Sequence, residues 1–103
     1  MTRKCFNADG AVAIGPYSHA VEAGDLLFLS GQTPIDPQTQ KLSEGSIVEQ
    51  TKQCFKNLFK VLEASGLTPE NVEKVNVFLT NMDDFSAMNE VYATQFSAPY
   101  PAR

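Results

Sequence analysis

The chain has 103 residues, 43% of them hydrophobic, and twelve acidic against eight basic residues leave a net charge of −4. That length supports one modest core, and an acidic balance with no basic stripe argues against gripping a phosphate backbone, where affinity comes from clustered lysine and arginine. The N-terminus lacks the apolar core of a signal peptide and no apolar run approaches the roughly 20 residues that cross a bilayer, so residues 1–103 read as one cytoplasmic domain with no membrane partner.

In chain order, Arg3 to Asn7 suggests a short first strand. Ser18–Glu22 and Leu26–Ser30 predict an antiparallel hairpin turning at Ala23-Gly24-Asp25, where Gly24 can take the positive φ of a tight turn. The continuous Leu26-Leu27-Phe28-Leu29 suits a strand covered on both faces, while Ser18 to Glu22 mixes polar and apolar as a half-exposed strand does. Thr33 to Gly45 reads as a polar loop. Ser46-Ile47-Val48-Glu49 matches a capping box, and Ile47, Val48, Thr51, Cys54, Phe55, Leu58, Val61 and Leu62 follow at helical spacing as a core stripe. Gly66 ends that helix and Leu67 can pack back on it.

Val72 to Thr80 alternates Val75, Val77 and Leu79 with Lys74, Asn76 and Phe78, which predicts another main strand. A second helix follows, capped by Asn81 or Asp83, with Phe85, Met88, Tyr92 and Phe96 on its apolar side and Pro99 barring its extension. This order describes a two-layer α+β domain with both helices on one face of a sheet. The other sheet face, partly apolar and uncovered, predicts an oligomer.

Residues fit for chemistry are few. Cys5 and Cys54 belong to no Cys-x-x-Cys or metal-ligand pattern and read as two reduced thiols rather than a disulfide, and one histidine, His19, is too few for an evident zinc site. Ser30 and His19 flank one hairpin, but a nucleophile–base pair there would be a chance geometry, and no Gly-x-Ser-x-Gly, phosphate loop or dinucleotide fingerprint is present. Small and polar residues gather at element ends: Gly15-Pro16-Tyr17, Ser30-Gly31-Gln32, and Asn89 on the second helix. Arg103 closes Tyr100-Pro101-Ala102-Arg103, and a guanidinium on a proline-stiffened segment suits two-pronged recognition of a carboxylate or phosphate, although a solvated surface arginine would read the same locally.

Taken together, Ile14-Gly15-Pro16-Tyr17-Ser18-His19-Ala20-Val21, Leu27-Phe28-Leu29-Ser30-Gly31-Gln32-Thr33-Pro34, Asn89-Glu90-Val91-Tyr92 and Pro99-Tyr100-Pro101-Ala102-Arg103 resemble the Rid family (YjgF, reactive intermediate deaminase), in order and across the whole chain. The resemblance implies a chorismate-mutase-like two-layer fold with a mixed sheet, assembled as a homotrimer with sites between subunits. It further implies hydrolysis of 2-iminopropanoate and 2-iminobutanoate, small 2-imino acids, to 2-keto acids and ammonia, with no metal or organic cofactor. By resemblance, Arg103 clamps the substrate carboxylate, Tyr17 packs against the substrate, Ser30 and the Gly31 backbone line its polar side, and Asn89 lies near the cleft. Family members continue past this arginine with a cysteine, a pair of strands and a glutamate thought to position water, so the sequence as given is expected to lack that C-terminal segment. Two other readings are a non-catalytic, chaperone-like trimer that holds a small ligand in the same clefts, and an endoribonuclease, which a single histidine and an acidic balance disfavour.

Overall fold

The computed structural model describes residues 3–8 and 15–103; Ile14, which opens the first motif, lies outside them. Lys4–Phe6 (β1), Ala20–Ala23 (β2) and Leu26–Leu29 (β3) form an antiparallel sheet in the order β1-β2-β3. The β2–β3 hairpin closes as its turn residues require: Ala23 pairs with Leu26, and Gly24 sits at φ 58°, where a side chain would be strained. The ladder begins two residues later than the pattern suggested, because Ser18 and His19 bond outside it: the His19 N–H donates to the Asn7 side chain at 3.0 Å.

Two expectations give way here. Leu26–Leu29 is not covered on both faces: Leu27 and Leu29 pack on Ala8, Ala20 and Val61, whereas Leu26 and Phe28 stand 57% and 60% exposed on the face away from the helices. Within Thr33–Gly45, Ile35–Asp36 (β4) and Lys41–Leu42 (β5) make a small antiparallel hairpin rather than a plain loop. Its turn is closed by the Asp36 carboxylate, which accepts from Gln38 N–H at 2.8 Å, and by Gln40 at φ 58°. The hairpin is held from a distance by the buried Asn57, whose amide donates to the carbonyls of Ile35 at 2.9 Å and Thr33 at 3.3 Å.

Asn57 belongs to α1, Ile47–Ala64, which starts and stops where the sequence signals lie. Ser46 Oγ accepts from Glu49 N–H at 3.3 Å, but the reciprocal half of the capping box is not made; the Glu49 carboxylate instead fills the space where a Gly45 Cβ would stand. At the other end Gly66 takes φ 79°, with Gly66 N–H on Glu63 and Leu67 N–H on Leu62, the bond pair of a Schellman motif.

α2, Phe85–Gln95, lies against α1, its entry turned by a short 3-10 segment in which Asn81 Oδ1 accepts from Asp83 N–H at 3.0 Å. Phe55, Met88, Tyr92 and Phe96 form the main core, with Phe55 edge-on to Tyr92 and Phe96 at 5.8 Å each. Val72, Val75, Val77 and Leu79 pack under it, so the alternation of 72–80 places the right side chains inward and leaves Phe78 91% exposed on the far side. Yet 72–80 forms no ladder among the described residues. Its strand pairing is one parallel bridge, Lys74 to Ala102, through Val75 N–H to Ala102 and Ala102 N–H to Glu73, both 2.9 Å. Alternation sets which way side chains face, but a strand also needs a partner for its backbone. Among the described residues no helix is long and apolar enough to cross a membrane.

Candidate active site

The bridge at Ala102 fixes the backbone immediately before Arg103 and brings its side chain over α2. There Arg103 Nη1 donates to Asn89 Oδ1 at 2.7 Å, and the guanidinium carbon lies 4.6 Å from the Tyr92 ring centroid and 5.7 Å from that of Phe85. A flat cation against the faces of two rings is both attracted by them and oriented by them. Among the described residues the other guanidinium donors have no hydrogen-bond partner, and Arg103 borders a cleft of about 190 Å³ whose remaining walls are Val77, Leu79, Met82, Phe85 and Met88. An oriented cation beside apolar walls suits a small anion with an apolar tail.

A second corner forms where β2 begins and β3 ends. Ser30 N–H donates to the His19 carbonyl at 2.9 Å and Ser30 Oγ donates to the Ser18 carbonyl at 2.7 Å. The Ser30 proton is therefore spent on backbone, and the hydroxyl keeps its lone pairs for a donor. It is not aimed at His19, so no nucleophile–base pair exists here. Tyr17 is 41% exposed and meets the His19 ring edge-on at 6.4 Å. A Cβ on Gly31 would meet nothing within 4 Å among the described residues, so no contact there calls for glycine.

Of the residues singled out from sequence, then, Arg103 and Asn89 meet, and Tyr17, Ser30 and Gly31 share the other corner. Among the described residues no hydrogen bond or cleft wall joins the two groups. Sequence reasoning misses the aromatic bracket: of the apolar side of α2, Tyr92 is buried in the main core while Phe85 is 42% exposed, and both rings also lie beside the Arg103 guanidinium. The signal was present in the spacing, since positions 85, 89 and 92 fall on one side of a helix. Cys5 is exposed and Cys54 half-buried, both free; burial pushes the Cys54 thiol pKa up, which favours its protonated, less nucleophilic form. Among the described residues no three His, Cys, Asp or Glu side chains converge as a metal-binding group.

Fold and surface together define a class: two-helix α+β chains that hold an arginine between an amide and aromatic rings, with a strand-end corner of small polar residues. The family model described as Endoribonuclease L-PSP matches residues 8–103. The chain is 46% identical over 103 residues to a RutC family protein of Pyrococcus horikoshii, covering 100% of this chain and 82% of that protein. It is 45% identical over 91 residues to a 2-iminobutanoate/2-iminopropanoate deaminase of Mus musculus, covering 88% of this chain and 67% of that one. The crystal structure of RidA from an Antarctic Psychrobacter species superposes with a TM-score of 0.90 at 42% identity, over 98% of this chain and 82% of that one. The chain belongs to the L-PSP family, also called YjgF or Rid.

Proposed function

We propose that this protein hydrolyses small 2-imino acids, 2-iminopropanoate and 2-iminobutanoate, to 2-keto acids and ammonium. The observation that carries the reading is the bracketed Arg103, whose guanidinium is oriented by Asn89 and Tyr92 while donors remain for a carboxylate. The identity to the mouse deaminase supports it. Arg103 binds the substrate carboxylate through two parallel N–H bonds, Ser30 Oγ accepts from the iminium N–H, and Tyr17 covers the small side chain. Water adds to the electrophilic carbon of R–C(=NH2⁺)–COO⁻, and the resulting adduct expels ammonia, so that one water and one iminium give R–CO–COO⁻ and NH4⁺. A protonated imine is already activated, and holding it in line with water does most of what is needed.

Among the described residues the two corners share no hydrogen bond and no cleft wall, and in this reading the site is completed between copies: Tyr17, Ser30 and Gly31 of one subunit face Arg103 and Asn89 of the next in a homotrimer. Leu26, Phe28 and Phe78, exposed on the face away from the helices, supply its apolar interface. An endoribonuclease would need a histidine free to exchange protons at the surface, and His19 is buried with Nδ1 engaged.

Threonine dehydratase generates 2-iminobutanoate in situ, and semicarbazide traps what is not hydrolysed. Adding the protein should divert the imine from the trap into free keto acid and ammonium. Trapping unchanged by folded protein would leave only ligand binding as the role of the site.

A further inference from the structure

A second cleft, of about 400 Å³, lies away from Arg103, and its walls are Asp36, Pro37 and Gln38 from the β4–β5 turn and Gln53, Lys56 and Lys60 from α1. None of these residues belongs to either corner described above. Lys56 and Lys60 stand one turn apart on the helix, so their side chains share a face, and an anion set between two such ammonium groups relieves their repulsion. The two walls are tied to each other. Gln53 Nε2 donates to Asn57 Oδ1 at 2.8 Å, and Asn57 in turn donates to the Ile35 and Thr33 carbonyls, which fixes the helix against the hairpin. Farther along, Gln50 Nε2 donates to the Ser43 carbonyl at 2.9 Å. The Asp36 carboxylate accepts from Gln38 N–H at 2.8 Å and the Asp36 carbonyl from Gln40 N–H at 2.7 Å, so the carboxylate is held in the turn. Walls joined before a ligand arrives cost little to organise on binding.

We propose that this cleft between α1 and the β4–β5 turn is a binding site for an α-amino dicarboxylic acid of the size of aspartate or glutamate. The lining charges are two ammonium groups and one carboxylate, and the ligand carries the complement, two carboxylates and one ammonium. Its carboxylates take Lys56 and Lys60, and its ammonium takes Asp36. Gln53 spends an N–H on Asn57 and keeps its carbonyl oxygen, a further acceptor for the ammonium. The same lining disfavours the alternatives: a plain dicarboxylate or a phosphate ester meets repulsion from Asp36, and a neutral amino acid leaves one lysine without a carboxylate. This site is independent of the deaminase reading, since it shares no residue with the Arg103 cleft.

The test is an NMR titration of the whole protein with L-glutamate and with L-aspartate, at an ionic strength held constant with sodium chloride. Either acid should give saturating shifts at the Gln38 and Gln53 side-chain amides and the Lys56 and Lys60 ammonium groups, with a Kd of about 1 to 10 mM for an open cleft of this kind. Glutarate, which is glutamate without its ammonium, L-alanine and inorganic phosphate should each bind roughly 2- to 10-fold more weakly, one partly exposed charge contact being lost in each case. Lys56→Gln and Lys60→Gln should weaken the bound acid by a similar factor. Asp36→Asn keeps the oxygen that accepts from Gln38 N–H, so the turn should persist; it should weaken glutamate while tightening glutarate, and that opposite response reads the ammonium contact directly. Shifts that are absent or unsaturated through about 50 mM of both acids, glutarate or phosphate binding as well as glutamate, or lysine variants that bind like the parent would each overturn the proposal.

Discussion

Replacing Arg103 by lysine keeps the charge and removes the geometry. In the parent, Nη1 is bound to Asn89 at 2.7 Å and the guanidinium carbon lies 4.6 Å from the Tyr92 ring, so the plane is set before substrate arrives. A lysine ammonium is a point charge on a flexible stem: it forms one strong bond to the carboxylate in place of two, and nothing sets its direction. The lost prong is a charge-assisted hydrogen bond worth about 1.5 to 3 kcal/mol, which converts to a fall in kcat/KM of about 10- to 150-fold. The Asn89 contact is exposed, so its own share is smaller: Asn89→Ala should cost about 0.5 to 1 kcal/mol, or roughly 2- to 5-fold. Since lysine cannot make that contact in the same way, the two changes should not add, and the double variant should resemble Arg103→Lys alone. Imine hydrolysis measured by trapping, with circular dichroism to verify folding, gives all four corners of the cycle. A lysine variant within twofold of the parent, or full additivity, would refute the idea that Arg103 acts as an oriented fork.

Other expected outcomes concern the scaffold. Asn57→Leu removes the donor to the Ile35 and Thr33 carbonyls and the acceptor for Gln53, and leaving such buried groups unpaired should cost about 1 to 3 kcal/mol, read as a lower Tm in calorimetry. Phe78→Glu places a charge on the 91% exposed ring position of the face away from the helices; if the proposed homotrimer forms through that face, light scattering should show monomer for the variant and trimer for the parent, with circular dichroism unchanged. With a thiol reagent, Cys5 should react first and Cys54 slowly. Because burial raises the Cys54 pKa, its neutral form is the one the fold favours: its contribution is fully present below the ordinary value of 9.0 and is lost as the pH rises through the raised one. Urea titrations at pH 7 and pH 10 on Cys54→Ala beside the parent should therefore differ in the direction of greater alkaline loss for the parent.

Where a feature depends on neighbours in the chain, the residues alone determined it. The apolar period, Ser46 and Gly66 bound α1, and Gly24 makes the β2–β3 turn, because caps and tight turns satisfy backbone groups a few residues away. The grouping of Asn89 with Tyr92 and Phe85 follows in the same way from helical spacing, once the helix is granted. What only the tertiary structure decided involves distant partners. The β4–β5 hairpin, two residues per strand, is pinned by Asn57, which is 22 residues from Ile35 in the chain. Residues 72–80 carry the alternation of a strand, yet whether they form a ladder depends on what lies alongside, which no local pattern encodes. Arg103 reaches Asn89 and Tyr92 because Ala102 bridges Lys74, and His19 is buried with its Nδ1 accepting from Ala8 N–H, a residue eleven positions away. Side-chain period and capping are short-range and legible in sequence; pairing, burial and the meeting of distant functional groups are long-range and are fixed only when the chain closes on itself.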